Sequence, residues 1–119
     1  DASKADSLVE LLNQAEVIMS CAKAGVQVLS EAQVASAKRL LVAADVNAVP
    51  PAGIAGIGAM DDGVVINTQA AKSVGIGALA IGNVKYQVER GLFETMLQAE
   101  KAVYLDFRDA FALARKHAA

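Results

Sequence analysis

The residues best suited to chemistry stand at the end of an apolar run. Leu40 to Ile54 reads LLVAADVNAVPPAGI, which closes on Asp45 and Asn47 and is stopped at once by Pro50 and Pro51. Proline fixes φ and removes a backbone donor, so a strand ladder cannot continue through the pair. Polar side chains at the mouth of a buried strand, followed by a rigid turn, suit a ligand crevice in an open α/β sheet. Such crevices lie outside the carboxyl ends of the strands. Asp45 and Asn47 would supply the few oriented polar groups a pocket needs. The same residue types also cap strands and start turns through their own backbone. Residue type alone leaves both readings open.

A second run, Glu16 to Cys21 (EVIMSC), ends in Ser20, Cys21, Ala22 and Lys23. Small residues there would let a ribose or adenosine lie close to the backbone, beside Asp45, Val46 and Asn47. GIGALA, Gly75 to Ala80, matches the G-x-G-x-x-G/A dinucleotide pattern. That fingerprint requires a strand before it, a helix N-terminus within it and an acid about 20 residues on. Residues 68–74 read as helical, and Glu94 and Glu100 lie inside a helix pattern, so the fingerprint is rejected. A glycine-lined strand that approaches a ligand or another backbone fits better.

The remaining candidates are weaker. Cys21 reads as a small buried thiol, and the lone His117 suits the basic end of a helix better than the role of a catalytic base. One Cys and one His make no metal cluster, so no metal is expected. Asp61 and Asp62 are adjacent and read as a turn. Lys85, just past the glycines, could reach an acidic substrate or a phosphate, or stand in solvent. Glu94 and Gln98 sit one turn apart, with nothing to assign them to a cleft.

Elements must position these groups. Asp6 or Ser7 caps a first helix with an apolar stripe of Leu8, Val9, Leu11 and Leu12. Glu16 to Cys21 is a strand. Ser30 to Lys38 is a short helix capped by Ser30, and Leu40 to Val46 is a second strand. Helix and strand in alternation imply a right-handed parallel crossover. The Gly-rich stretch from Pro50 to Asp62 is expected to lay apolar residues against the sheet. Val64 to Asn67 reads as a short strand, Gln69 to Ser73 as a helical turn, and Gly75 to Ile81 as a last strand. A long helix from about Asn83 to Lys101 follows, with Val84, Val88, Leu92 and Met96 four apart. Asp106 caps a final helix through His117, with Asp109 in its first turn. The expected fold class is α/β: a partial Rossmann-like parallel sheet with flanking helices, then a long C-terminal helix and a short one.

Composition agrees. The 119 residues allow one domain, and 55% hydrophobic content allows a real core. Aromatic residues make up 4% of the chain, so Ala, Val, Ile and Leu must do the packing, as in parallel sheets covered by helices. A net charge of −2 with scattered Lys and Arg argues against a nucleic-acid surface. No run reaches the ~20 apolar residues that span a bilayer, so no membrane partner is expected. A single Cys favours a reducing compartment, and a cytoplasmic location is expected. The opening DASKAD lacks the basic and apolar regions of a signal peptide and lacks a Met, which fits a start inside a longer protein.

The segment DVNAVPPAGI (Asp45 to Ile54), then GALAIG (Gly77 to Gly82), then Lys85, resembles the NADP-dependent methylene-tetrahydromethanopterin dehydrogenases, whose relatives also act on methylene-tetrahydrofolate. The similarity runs from about Asp6 to Ala119. A looser likeness, through the strand-end loop and GLFETMLQA (Gly91 to Ala99), is to shikimate dehydrogenases. The first resemblance implies a Rossmann domain joined to a substrate domain, with NADP as cofactor and a reduced pterin as substrate. It implies that the loops at Ser20 to Gly25 and Asp45 to Asn47 line the ribose–nicotinamide half of the cofactor. Gly77, Leu79, Ile81 and Gly82 would do so from the other side, and Lys85 would line the active site.

The family's Gly-rich phosphate loop and its 2′-phosphate-selecting basic residue lie upstream of this chain. So the chain resembles a C-terminal portion: residues 1–82 as the second half of the dinucleotide domain, and residues 83–119 as helices packing on or bridging to a substrate domain. Without the pyrophosphate anchor, the 119 residues alone are expected to be inactive. Two alternatives stay open, a shikimate-type oxidoreductase fragment and a non-catalytic association domain. A half-sheet leaves an apolar edge, and exposed edges recruit partners, so a homo-oligomer or association with the missing part is expected.

Overall fold

The computed structural model describes residues 5–118. The chain forms two compact units, Asp1–Ala80 and Ile81–Ala119. In the first, helix α1 (Ala5–Gln14) precedes strand β1 (Val17–Ser20), helix α2 (Glu31–Ser36) and strand β2 (Val42–Asp45). Strands β3 (Asp62–Ile66) and β4 (Ser73–Ile76) complete a sheet ordered β1-β2-β4-β3. β1 and β4 both run parallel to β2, and β3 returns antiparallel beside β4. The fold is α/β with a mostly parallel sheet and flanking helices, as expected, and the antiparallel strand at one edge is an addition.

The sequence explains the arrangement. β2 lies between two strands, and Ala43, Ala44 and Asp45 are all buried, as a central parallel strand requires. Leu40 and Ile54 are 0% exposed and sit in one cluster with Leu12, Leu29, Val34 and Ile57. Burying side chains of that size stabilises the fold by about 1.5–3 kcal/mol each. Ile54 and Ile57 bring the Gly-rich stretch onto this core, as its apolar residues implied. Ser30 caps α2 in a reciprocal capping box, its hydroxyl accepting from the Gln33 N–H while the Gln33 side chain accepts from the Ser30 N–H. The buried Ser73 hydroxyl donates to the Leu40 carbonyl and ties β4 to the start of β2.

The second unit is helical. Helix α3 (Ala78–Gln98) begins in the first unit and runs on into it, and helix α4 (Phe107–His117) follows. Asp106 caps α4 in a second capping box, with Asp109 as its partner. Within this unit α3 approaches α4 at Gly91, where a Cβ would lie 3.2 Å from Leu113 Cδ1. No residue of either helix is buried.

Three expectations are corrected. Gly75 to Ile81 is not one strand: β4 ends at Ile76 and α3 begins at Ala78, five residues before the expected start. Apolarity without a period does not tell a strand from a helix, and Gly77, between the two elements, divides this run. Gln69 to Ser73 is not a helical turn. Residues 69–71 form a bend and Ser73 opens β4. The second strand is Val42–Asp45, shorter than Leu40 to Val46. Leu40 drops into the core and Leu41 is 55% exposed.

Candidate functional site at the carboxyl edge of the sheet

Parallel pairing lines up the strand ends. Ser20 stands opposite Asp45, and Ala44 stands opposite Ile76. The loops after β1, β2 and β4 therefore leave from one edge of the sheet, where such folds bind ligands. Ser20, Asp45 and Gly77 form its buried row, and Cys21, Lys23 and Val46 are exposed beyond it.

Asp45 is 1% exposed and its carboxylate is engaged from within the fold. Its Oδ1 accepts from the Asn47 N–H at 3.0 Å and its Oδ2 from the Ile54 N–H at 3.1 Å. Asn47 is 7% exposed. Its Oδ1 accepts from the N–H groups of Val49 (3.0 Å) and Gly25 (3.3 Å), and its Nδ2 donates to the Pro51 carbonyl at 3.0 Å. Every hydrogen bond these side chains make holds the surrounding loops. That is the turn-forming chemistry of Asx residues carried across two loops.

Those loops are further joined by backbone. The Gly53 carbonyl accepts from the N–H groups of Val28 and Leu29, and the Leu29 carbonyl accepts from the Ala55 N–H. Gly53 lies over the row below: a Cβ there would come within 2.5 Å of Ser20 Oγ and 2.8 Å of Asp45 Oδ1. Ser20 Oγ is buried and has no hydrogen-bond partner among the described residues. The Pro50–Pro51 peptide bond is cis.

The third strand end differs. A Cβ on Gly77 would lie 2.0 Å from the Gly58 carbonyl oxygen and 2.5 Å from that of Ala59. The Gly77 N–H donates to the Asp61 carbonyl and the Leu79 N–H to that of Ala59, each at 2.8 Å. The first-turn donors of α3 are thus partly taken by the chain itself. Gly75–Ala80 does have the strand-then-helix setting whose apparent absence led to the rejection of a dinucleotide fingerprint. The fingerprint still lacks its acid, since Glu94 lies inside α3, and the Gly58 and Ala59 carbonyls press against Gly77.

Near this site runs an apolar groove of about 370 Å³, lined by Leu8, Leu11 and Leu12 of α1, by Val17 to Ser20 of β1, and by Val28 and Leu29. Among the described residues, β1 has one partner strand only, β2. The carbonyls of Glu16 and Ser20 accept from β2 residues and the segment beside it. The backbone groups of Val17 and Met19, which alternate with these, therefore face the open edge. Their side chains are 65% and 64% exposed.

Over 103 residues the chain is 52% identical to the NAD(P)-dependent methylenetetrahydromethanopterin dehydrogenase of Methylorubrum extorquens AM1, covering 87% of this chain and 34% of that protein. This is the family the sequence resembled. A second protein of that organism, Bifunctional protein MdtA, is 30% identical over 118 residues, 99% of this chain and 38% of its own length. The chain thus spans between a third and two-fifths of the curated relatives it matches. No protein-family model matches it.

The cofactor-lining residues expected from the dehydrogenase resemblance fall into separate places. Ser20, Cys21, Ala22, Lys23, Asp45, Val46 and Asn47 do share the carboxyl edge, with Ser20, Asp45 and Asn47 buried under the loops. Gly77 is buried at the same edge. Leu79 is exposed in the first turn of α3, and Ile81, Gly82 and Lys85 follow along that helix in the second unit. Lys85 pairs with Glu89 one turn on, at 3.7 Å. Cys21 is exposed, which corrects the buried thiol expected from its apolar run. It lies one residue past the strand end, outside the core. Asp61 closes a turn, its Oδ2 accepting from the Gly58 N–H at 2.7 Å, and Asp62 opens β3. Among the described residues, no three His, Cys, Asp or Glu side chains come together as metal ligands, and no helix is long and apolar enough to cross a membrane.

Gly25 and Gly53 were missed in the sequence. Gly53 lay in plain view in PPAGI, but its need to be glycine comes from Ser20 and Asp45, distant in the chain. Gly25, at φ +74°, was legible only as part of a loop.

Proposed function

We propose that the chain is the C-terminal part of an NADP-dependent dehydrogenase. That enzyme would move a hydride between methylene-tetrahydromethanopterin, or methylene-tetrahydrofolate, and NADP. The observation that carries the proposal is the 52% identity, which includes the segment forming the carboxyl edge. In this reading residues 1–82 complete a dinucleotide-binding domain and residues 83–119 meet the substrate domain.

The site fits one end of such a cofactor and not the other. Exposed Cys21 and Val46, small Ala22 and a rigid backbone suit a flat nicotinamide and its ribose. The filled space at Gly77 does not suit a pyrophosphate, whose anchor would come from elsewhere in the enzyme. When bound, the nicotinamide supplies the hydride acceptor or donor. The chain's own residues hold a surface in place for it. Orientation of this kind is worth up to about 7–11 kcal/mol of a barrier, so hydride transfer needs no triad or metal from this chain.

The open edge of β1 supports a partner: a further strand, from the rest of the enzyme, pairing along Val17 and Met19. The complete protein is expected to reduce NADP with a methylene-tetrahydropterin, followed by the absorbance of the reduced nicotinamide. The 119 residues alone are expected to show no micromolar NADP binding by calorimetry. Turnover of a shikimate-type hydroxy acid by the complete protein, with none of either methylene carrier, would reject the proposal.

A further inference from the structure

Asn47 reaches across the site to the turn in the loop after β1. Lys23 to Val26 is closed by the Val26 N–H donating to the Lys23 carbonyl at 3.1 Å, with Gly25 at φ +74° in the position that requires a positive φ. This turn is the first structure after the end of β1, and Lys23 at its start is exposed. The Gly25 N–H is taken by Asn47 Oδ1, 22 residues further on in the loop after β2. Asn47 is itself fixed on both sides: Oδ1 also accepts from Val49, and Nδ2 donates to Pro51. Those partners settle which end of the amide faces Gly25. The link thus runs from a buried amide to the turn that presents Lys23.

We propose that Asn47 is a positioning residue. It pins Gly25 and thereby sets the Lys23–Val26 turn against the cofactor, without touching the cofactor itself. This rests on the proposed function, which places a nicotinamide nucleotide at this edge. The loop after β2 then holds the loop after β1, and the two wall the crevice as one piece. A buried side chain whose partners are all within the fold affects binding through geometry. Its loss should therefore change cofactor binding more than the chemical step.

Steady-state kinetics of the complete dehydrogenase, with the cofactor varied, test this. Asn47→Ala is expected to raise KM for NADP about tenfold while kcat stays within about twofold. Gly25→Ala leaves Asn47 in place, and its Cβ meets only ordinary contacts, with the Pro50 carbonyl oxygen at 3.6 Å and Val49 Cγ1 at 3.7 Å. It strains the same turn through φ alone, so KM should rise in the same direction. Ser30→Ala, which removes the α2 cap, provides loss of stability away from the site and should leave KM unchanged.

Hydrogen exchange at the Gly25 amide reads the pin directly: slow in the parent, fast in Asn47→Ala. Unchanged KM in both Asn47→Ala and Gly25→Ala, or an equal rise in Ser30→Ala, overturns the proposal. So does exchange at Gly25 that ignores residue 47. If Asn47→Ala does not fold, Gly25→Ala carries the kinetic test. If the parent uses no NADP at all, the proposed function fails, and with it the cofactor role of Asn47. The exchange measurement still decides whether Asn47 pins the turn.

Discussion

The sheet unit and the helical segment after it were built from similar sequence signals and have opposite interiors. In residues 5–80, short elements enclose Leu40 and Ile54 completely. In residues 81–118, long and regular helices bury nothing: Phe93 is 64% exposed, Leu97 86% and Phe111 64%. A helix follows from local pattern, whereas a core requires a second surface to close on it. Two helices in one hairpin offer little of that. The apolar side chains of this segment are left at its surface. In the sheet unit the exposed counterparts are Val17 and Met19 of β1.

The sharpest way to break this contrast is to cut into the core that the first unit does have. Ile54→Ala is expected to cost about 2–5 kcal/mol, read from the denaturant midpoint. A loss below 1 kcal/mol would mean that Ile54 is not enclosed. Gly77→Ala comes next, at about 1–3 kcal/mol by the same measurement, because the new methyl meets the backbone of residues 58 and 59 and not a side chain that can swing away. If Gly77→Ala were neutral, residues 58–59 would not fill that space, and a phosphate cradle at Gly75–Ala80 would return. Ser30→Ala should cost about 1 kcal/mol, through loss of the α2 cap.

In the helical segment, Leu97→Ser is expected to change unfolding by no more than about 0.5 kcal/mol. A larger loss would show that Leu97 is covered in solution, and light scattering on the same samples would say whether by another copy. The smallest effect is at Asp106. The Arg108 guanidinium, and then the Arg108 N–H, hold its carboxyl below the usual Asp range, with burial opposing weakly. The charged form is thus favoured in the folded chain. Its contribution is present above the ordinary Asp pKa and is lost as the pH falls through the lowered folded value. Helicity of α4 should fade over that acid range. The fade should weaken in high salt, since the pair is exposed.

Much of the fold was readable because its signals are local. Ser30 and Asp106 announced helix starts through their own side chains, and the alternation of helix and strand implied the parallel pairing of β1 with β2. The Gly75 to Ile81 run was misread because glycine and alanine carry no period. What divides it is Gly77, pressed against a loop nearly twenty residues earlier. The antiparallel return of β3 had no local signal. At the site, DVN was correctly placed at the end of a central parallel strand, but whether its polar groups face a ligand or the loops depends on Gly25, Pro51 and Ile54. Cys21 was misjudged by one residue, the distance between the last rung of a strand and open solvent.

The sequence by itself determined the parallel pairing of β1 with β2, the caps at Ser30 and Asp106 and which kind of enzyme the chain resembles. Short-range sterics and hydrogen bonding write those features into neighbouring residues. Only the tertiary structure decided that Asp45 and Asn47 bind loops together, that Gly53 must lack a side chain and that Gly77 has no room for one either. Each of these is a contact between segments far apart in the chain, and its energy exists only once the sheet has brought them within a few ångströms.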